Sequence, residues 1–298
     1  MAVSDFLSYL SLEKNYSDHT VLAYKNDIET FALFCAEAYE IDAITDVHYN
    51  QIRSWIVQLV DNGIGNRSIN RKIASLKAYY KFLLRIGDIT INPLAKHKAL
   101  KTSKKIEIPF SETEMQDVLS LIIYEEGFEG VRDKLMIELL YATGMRRAEL
   151  INLKTEAIDF HSKTLKVLGK RNKERILPLL PSTIALLKAY FHERSLLEEL
   201  CDEQFVFLLK SGHKIYETLV YRVIFKYLGK VSSKVKKSPH ILRHTFATHL
   251  LNQGADLNSV KELLGHSSLA STQVYTHNSI AELKKVHSAS HPRSKDDG

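Results

Sequence analysis

The stretch "SPHILRHTFATHL", residues 238–250, holds three histidines and an arginine among apolar residues. Such a cluster could bind a metal ion, form one face of an ordinary amphipathic helix, or bind an anion. Ser238 followed by Pro239 is typical of a helix start, with the serine as N-cap and the proline at the first helical position. His240 then falls in the first turn, where free backbone N–H groups and the helix dipole attract anions.

The spacing of this stretch separates the three possibilities. On a helical wheel His240, Arg243 and His244 share one face, whereas His249 lies on the opposite side. A further face is apolar and is expected to enter the core: Leu242, Phe246 and Leu250. A zinc site needs three or four convergent His, Cys or carboxylate ligands, but here an arginine, which cannot ligate a metal, lies between two histidines. The stretch therefore favours an anion-binding site over a metal site.

Four more candidate residues lie in the C-terminal half: Arg146 in "ATGMRRAEL", Lys170 in "GKRNKER", and His266 and Tyr275 in "LLGHSSLASTQVYTH". Each has an ordinary structural explanation as well. Arg146 could form an ion pair with Glu149. Lys170 could be a solvated turn lysine, and Tyr275 a core aromatic residue with a hydrated hydroxyl. Taken singly these residues leave both interpretations open, so only their combination is informative.

The elements that would position these residues are mostly helices. Residues 3–87 place apolar side chains at three- and four-residue intervals, which predicts helices. Ser17 is a candidate N-cap for a helix over residues 19–40, and Ser68 for a helix over residues 69–87.

The second half changes period after its first helices. "AIDFHSKTLKVLGK" and "ERILPLL" alternate apolar and polar residues around a predicted turn "KRNK", which indicates a small antiparallel sheet of two or three strands. Helices resume at "STIALLKAYFHER". The predicted fold is mainly α, with an N-terminal helical bundle and a mostly helical second domain that contains the sheet.

The predicted helix over residues 69–87 separates apolar from basic side chains. Its apolar arc contains Ile69, Ile73, Leu76, Tyr80, Leu83 and Leu84. The opposite arc contains Arg67, Arg71, Lys77, Lys81 and Arg85, separated by small residues that include Ala74 and Ala78. A face of this kind is either solvated or approaches a phosphate backbone, which its cations would flank.

A basic segment divides the chain. Five lysines lie within ten residues: Lys96, Lys98, Lys101, Lys104 and Lys105. Such a run is not expected to enter a core, so it predicts a linker over residues 96–108 that could also follow a polyanion. The expected domains are then residues 1–95 and 109–298.

Charge and composition narrow the class of protein. Residues 1–100 contain eleven basic and eleven acidic side chains, so the remainder supplies the net charge of +6, which favours a polyanionic partner. The two cysteines, Cys35 and Cys201, are far apart, which argues against a disulfide framework and for a reducing cytoplasm. No uncharged apolar run is long enough to cross a bilayer, and the N-terminus has no signal-peptide pattern.

Together the candidate residues match a known pattern: the chain resembles the tyrosine recombinases, most closely the bacterial Xer-type enzymes. The motifs are "TGMRRAEL", "GKRNKERILPL", "SPHILRHTFATHLLNQGADLNSVKELLGHSSLASTQVYTH" and "HPR", with weaker matches in "SDHTVLAYKNDIETFALF", "RSINRKIASLKAYYKFLLRIG" and "NP". The departures are Met145, Arg147 and Arg171, which stand where other residues are usual. No expected active-site position is missing.

The resemblance implies a role for each candidate residue. Tyr275 would be the nucleophile, Arg146 and Arg243 would bind the scissile phosphate, and Lys170 would be the general acid. His240 and His266 would be the accompanying hydrogen-bonding and acid–base pair, with His240 as the candidate base. A 3′-phosphotyrosyl intermediate retains the energy of the broken bond, so rejoining requires no ATP, no metal and no other cofactor.

The resemblance also implies partners. The two domains would form a clamp on a double-stranded DNA recombination site. The basic helix face and the basic linker described above are the candidate DNA contacts: Arg67, Arg71, Lys77, Lys81, Lys101, Lys104 and Lys105. Four protomers, as a homotetramer or a heterotetramer, would exchange strands, each docking its C-terminal segment "SIAELKKVHSASHPRS" on a neighbour, with a second recombinase or an activating protein as a possible partner. The expected role is chromosome dimer resolution, hence chromosome partition at cell division, in the cytoplasm on the nucleoid and not at a membrane.

Other functions stay open at this point. A mobile-element integrase would differ from a chromosome dimer resolvase mainly in its DNA site. A regulator of the same fold would bind DNA without forming a covalent adduct. A type IB topoisomerase would relax DNA as a monomer, and a hydrolytic nuclease would leave free ends.

Overall fold

The computed structural model describes residues 2–103, 107–169, 174–265 and 277–295. Within these ranges the protein is mainly helical with one small sheet, which confirms the fold class predicted from the sequence. The chain divides into two compact units, Met1–Lys105 and Ile106–Gly298.

The first unit is a helical bundle. Its helices are α1 (Ala2–Ser8), continued by a π-helical turn (Tyr9–Glu13), α2 (Asp18–Tyr39), α3 (Tyr49–Asp61) and α4 (Asn66–Ile86). Ser17 is the N-cap residue of α2, as predicted. The core is aromatic: Phe31 packs on Trp55, with ring centroids 5.0 Å apart, and Phe6 meets the edge of Tyr79 at 5.3 Å.

Two predictions about α4 were wrong. The helix begins at Asn66, after Gly65 as N-cap residue, so Ser68 lies inside the first turn and is not the cap. Leu84 is 44% exposed, whereas Tyr79 and Phe82 are buried. The buried face is rotated relative to the predicted arc because α1 covers it, with Phe6 against Tyr79 and Phe82.

The basic segment after α4 is held by that helix along part of its length. Asn70 binds both backbone polar groups of Leu100, donating to its carbonyl at 2.8 Å and accepting from its amide at 2.9 Å. Asn66 donates to the carbonyl of Lys101 at 2.8 Å. Polar side chains on α4 therefore anchor the backbone of this stretch, while the side chains of Lys96, Lys98 and Lys101 remain exposed.

The second unit packs helices around a three-stranded antiparallel sheet in the order β1-β2-β3. The strands are β1 (Ile158–Asp159), β2 (Thr164–Leu168) and β3 (Glu174–Pro178), with Lys166 opposite Ile176. The helices are α5 (Glu112–Gln116), α6 (Phe128–Thr143), α7 (Arg147–Ile151), α8 (Pro181–Ser195), α9 (Glu217–Val231), α10 (Pro239–Asn252), α11 (Leu257–Leu264) and α12 (His277–Ser290).

The C-terminal segment packs on its own chain. His287 of α12 is fully buried and lies 2.7 Å from the carbonyl of Ala142, and His291 lies 3.3 Å from the carbonyl of Tyr141. Leu283 joins the core of the second unit. The sequence predicted docking of this segment on a neighbouring subunit. The described part of this segment packs on its own chain, and docking on a neighbour stays a prediction.

Candidate active site

Helix α10 presents the residues of the opening stretch as predicted. Ser238 caps the helix by accepting a hydrogen bond from the backbone N–H of Ile241, and Pro239 occupies the first turn. The apolar face enters the core and is fully buried: Leu242, Phe246 and Leu250. His240 and His244 are exposed and Arg243 is half-buried between them, so the local sequence alone determines which side chains reach the surface.

His249, on the opposite side of α10, is a structural residue. It is buried, and its ring nitrogens lie 2.8 Å from the hydroxyl of Tyr141 and 2.9 Å from the carbonyl of Phe110. Thr245, one turn earlier, accepts a hydrogen bond from the N–H of Phe110 at 3.0 Å. The back of α10 thereby holds both backbone polar groups of the residue at which the second unit begins to pack.

Arg243 is anchored by two backbone carbonyls. Its Nη1 donates to the carbonyl of Gly144 at 2.5 Å, and its Nη2 donates to the carbonyl of Leu264 at 2.5 Å. Burial and, after it, the positive charges of Arg146 and Arg175 together lower the pKa of Arg243 to about 10, while Glu149 acts in the opposite direction. At neutral pH the guanidinium remains charged and lies close to other positive charges.

The close approach between α6 and α10 requires a glycine at the end of α6. Gly144 has φ +59°, and a Cβ atom there would lie 2.3 Å from the ring of Phe246. The left-handed turn ends α6 and leads directly to Arg146. Glycine therefore brings the carbonyl that binds Arg243 and the next arginine to the same place.

Arg146 is fixed by the residue three positions later. As N-cap residue of α7 it donates its backbone N–H to Glu149 Oε2 at 2.7 Å, and its Nη1 donates to Glu149 Oε1 at 2.8 Å. Its Nη2 donates to the carbonyl of Gly265 at 3.1 Å. The side chain is 34% exposed, so it reaches both the protein interior and the solvent.

Glu149 and Arg175 are buried parts of the site. The sequence offered Glu149 only as an ion-pair partner of Arg146, which it is, and did not indicate Arg175. Arg175 of β3 donates two hydrogen bonds to Glu149, each of 2.7 Å, and its Nε donates to the carbonyl of Leu263 at 2.9 Å. Burial would raise the pKa of Glu149, but Arg175 and then Arg146 hold it below its ordinary value. The available signal was an arginine at an inward-facing position of an alternating strand, where an apolar residue is expected.

The remaining predicted catalytic residues, Lys170, His266 and Tyr275, lie outside the described residues, as do Lys104 and Lys105. Three of the predicted catalytic residues lie within the described ranges. Arg146 and Arg243 bind adjacent carbonyls at the end of α11. His240 lies one turn before Arg243 on α10. Among the described residues, no group of three or more His, Cys, Asp or Glu side chains is arranged to hold a metal ion. No described helix is long and apolar enough to cross a membrane.

The predicted DNA-contacting residues on α4 are exposed, and they line one face of the helix: Arg67, Arg71, Lys77 and Lys81. Lys101 is exposed beyond the helix. Arg71 is also engaged with Asp27 of α2, to which it donates two hydrogen bonds of 2.5 Å and 2.9 Å. Lys72 and Ser75 bind the same carboxylate at 3.2 Å and 2.8 Å.

Comparisons with known families and relatives identify the family of the chain. Residues 114–282 match the phage integrase family, and residues 3–87 match the phage integrase N-terminal SAM-like domain. Tyrosine recombinase XerC of Chlorobaculum parvum is 38% identical over 96% of this chain and 93% of its own length. The same-named proteins of Oceanobacillus iheyensis and Staphylococcus aureus are 38% and 36% identical, over 98% and 97% of this chain and 96% of each relative.

Solved structures share the fold at lower identity. The Tn1549 transposon integrase in complex with circular intermediate DNA superposes with a TM-score of 0.70 at 19% identity, over 94% of this chain and 98% of the other. The XerH site-specific recombinase bound to its palindromic difH substrate also gives 0.70, at 18% identity over 99% and 93%. The chain belongs to the phage integrase family of tyrosine-type site-specific recombinases. The resemblance drawn from the sequence motifs is confirmed.

Proposed function

We propose that Arg146 and Arg243 bind the non-bridging oxygens of the scissile phosphate in a DNA recombination site. The observation that carries this proposal is the charge of the cluster. Three guanidiniums, those of Arg146, Arg175 and Arg243, lie around the one carboxylate of Glu149. Burial first, and then repulsion from Arg146 and Arg175, lowers the pKa of Arg243. A phosphodiester would relieve that repulsion, and paired guanidiniums match the geometry of its oxygens.

The remaining roles follow the motif positions of the family. Tyr275 attacks the phosphorus and forms a 3′-phosphotyrosyl bond, and Lys170 protonates the 5′ oxygen that leaves. A free tyrosine has a pKa of about 10, so its proton must pass to a base. His240 is the proposed base, supported by its exposed position one helical turn before Arg243, and His266 is its hydrogen-bonding counterpart. The reaction conserves one phosphodiester bond and uses no metal, nucleotide or other cofactor.

The biological role is proposed from the relatives. Relatives that match nearly the full chain are named tyrosine recombinase XerC. This supports a role in chromosome dimer resolution, and so in chromosome partition at cell division. The protein would act on the nucleoid in the cytoplasm. Strand exchange between two duplexes needs four cleavages, so the active form is a homotetramer or a heterotetramer with a second recombinase, with an activating protein as a further partner. The cations of the first unit, Arg67, Arg71, Lys77, Lys81, Lys101, Lys104 and Lys105, are proposed to contact the DNA backbone.

Covalent trapping tests the reaction. The substrate is a duplex selected from a random library by binding to the protein. It carries a nick beside each candidate scissile phosphate. Cleavage then releases a short strand that carries the 5′ hydroxyl, and because this strand diffuses away, religation is prevented. With a chelator present, we expect a protein–DNA adduct in a denaturing gel for the wild type and none for Tyr275→Phe.

The outcomes separate the alternative functions. Absence of an adduct on DNA that the protein binds would overturn the enzyme assignment and favour a regulator. Free ends without an adduct, lost on chelation, would indicate a hydrolytic nuclease. Relaxation of plasmids that lack the enriched site would indicate a topoisomerase, and an enriched site found at the ends of a mobile element would replace chromosome dimer resolution with integration.

A further inference from the structure

Arg175 joins three separate elements of the second unit. It leaves β3, binds Glu149 of α7 through both terminal nitrogens, and binds the carbonyl of Leu263 in α11 through Nε. Its side chain is 4% exposed, so it lies beneath the surface that DNA would approach. An arginine in this position cannot contact a phosphate of bound DNA. It can influence cleavage only through the groups that it binds.

The end of α11 is bound by three arginines in succession. The carbonyls of Leu263, Leu264 and Gly265 accept hydrogen bonds from Arg175, Arg243 and Arg146, in that order. The last carbonyls of a helix have no intrahelical partner and carry the negative end of its dipole, which makes them suitable acceptors for cations. The helix end therefore fixes the two outer guanidiniums relative to each other, and Arg175 fixes the helix end.

Arg175 also packs directly against this helix end. Gly265 has φ +63°, and a Cβ atom there would lie 3.1 Å from the Cδ atom of Arg175. The glycine thus provides both the left-handed turn that ends α11 and the space that the arginine side chain occupies. His266 is the next residue in the chain, so the segment that carries His266 and Tyr275 starts from this point.

Glu149 is shared between two arginines, and the division decides how Arg146 is oriented. Arg175 donates one hydrogen bond to each carboxylate oxygen of Glu149. Arg146 donates to Oε1 from its side chain and to Oε2 from its backbone N–H. Without Arg175, the negative charge of Glu149 would be neutralised by Arg146 alone. Arg146 would then turn towards Glu149 and away from a bound phosphate.

We propose that Arg175 is a positioning residue of this recombinase, which orients Arg146 and Arg243 as a pair by holding Glu149 and the end of α11. The proposal rests on the proposed function, in which these two arginines bind the scissile phosphate. It predicts a defect in the rate of cleavage without a defect in DNA binding.

The test uses single-turnover cleavage of the nicked duplex with the protein in saturating excess. The scissile phosphate carries sulfur in place of one non-bridging oxygen, as the separate Rp and Sp diastereomers, or carries no sulfur. We expect Arg175→Met to cleave the all-oxygen substrate on the order of 100-fold more slowly than the wild type, the size of effect that a displacement of about 1 Å produces. The Kd for DNA should not change.

The sulfur substitution separates two reasons why Arg175→Met would cleave slowly: misplaced guanidiniums, or a general loss of stability of the protein. In the wild type, sulfur at the oxygen contacted by a guanidinium weakens that hydrogen bond and slows cleavage. In Arg175→Met the contact is already impaired, so the ratio of oxygen to sulfur rates should move towards one. Arg175→Lys keeps the charge but not the paired geometry and should recover only part of the rate.

Arg132→Met is the matched control. Arg132 is equally buried, binds a carboxylate (Asp133) and approaches a backbone carbonyl (that of Leu208 at 3.5 Å), but it lies near the start of α6, at the opposite end from Gly144. At a temperature at which both variants are folded, Arg132→Met should keep the wild-type rate and sulfur effect. Equal slowing in both variants with an unchanged sulfur effect, or a wild-type rate in Arg175→Met, would overturn the proposal.

Two further variants separate failure of this inference from failure of the proposed function. Tyr275→Phe and Arg243→Ala should form no adduct or form it far more slowly than the wild type. If both behave so while Arg175→Met cleaves like the wild type, only the positioning role is wrong. If Tyr275→Phe still forms the adduct, the proposed function fails and the positioning role fails with it.

Discussion

Two buried carboxylates, one in each unit, bind arginines in opposite ways. In the Asp27 cluster (Asp27, Arg71, Lys72 and Ser75), the carboxylate lies between α2 and α4, and the side chain of Arg71 is 53% exposed. In the Glu149 cluster (Glu149, Arg146, Arg175 and Arg243), Arg175 is buried and Arg243 is half-buried. The first cluster therefore points its arginine outward, although its lysine is only 17% exposed, and the second gathers its guanidiniums around the end of a helix.

This difference separates a surface that attracts a polyanion from a site that can act on one phosphate. Exposed cations such as Arg71 are screened by water and salt, so each contributes little and none imposes a geometry. The guanidiniums of the second cluster are held by backbone carbonyls in partly buried positions, where water screens them less. Such fixed donors, aimed at one place, stabilise the charge that develops in a transition state.

The largest expected contrast is in stability. Glu149→Gln leaves the buried guanidinium of Arg175 without its counter-ion and should destabilise the second unit by about 3–5 kcal/mol. Asp27→Asn leaves Arg71, which is 53% exposed, able to turn to water, so we expect a loss of about 1–3 kcal/mol in the first unit. Urea unfolding measures both.

The single tryptophan separates the two transitions. Trp55 is buried in the first unit, so its fluorescence follows that unit, while far-UV ellipticity follows both. A Glu149→Gln variant as stable as Asp27→Asn would show that the two clusters are equivalent and would remove the basis of the comparison.

The next contrast is in the response to acid. Burial lowers the pKa of His287 to about 4, and it lowers the pKa of His291 and of His249 as well, all within the second unit. Below pH 6.5 the unfolded chain binds more protons at these histidines than the folded chain does. Their contribution to the free energy of unfolding is therefore complete above pH 6.5 and is lost as pH falls from about 6.5 towards 4. His287 alone should account for about 3 kcal/mol.

His287→Gln provides the check, because glutamine can still donate to the carbonyl of Ala142 but does not titrate in this range. Its unfolding free energy, measured from pH 7 to pH 4.5, should depend on pH less steeply than that of the wild type. An unchanged slope would mean that His287 is accessible to protons in the folded state.

The smallest expected effect is in the salt dependence of DNA binding. Lys81 lies on the exposed basic face of α4, whereas Arg71 on the same face is already neutralised by Asp27. If both contact phosphates, Lys81→Ala should lower the slope of log Kd against log salt by about 0.9. Arg71→Ala should lower it by less, and equal changes would show that Asp27 does not neutralise Arg71 in the complex.

The sequence predicted those features that depend on neighbours within a few residues. The Ser238–Pro239 start fixed the beginning of α10, and the wheel separated His240 and Arg243 from the apolar face that enters the core. The change of period from helical to alternating located the hairpin formed by β2 and β3. Motif spacing then indicated the family before any tertiary contact was known.

Two local predictions about α4 were wrong, one about where the helix starts and one about which side chains it buries. Ser68 was expected to be a cap because its side chain suits that role, but three further residues of α4 precede the predicted start. Leu84 was expected to be buried, but α1 covers the opposite border of the apolar arc. Local propensity does not specify which part of a broad apolar face a distant helix will cover.

By itself, the sequence determined the helices and strands, the exposed face of α10, the family and the residue types available for phosphate chemistry. Only the tertiary structure decided that Arg175 belongs to the site and that Glu149 is shared between Arg146 and Arg175, since Arg175 is distant in the chain from the residues that it binds. Arg146 and Gly265 are 119 positions apart, and Arg175 and Leu263 are 88 apart. Local hydrogen bonds and side-chain periodicity are encoded within a few residues, whereas convergent guanidiniums require the folded core to bring α7, β3, α10 and α11 together.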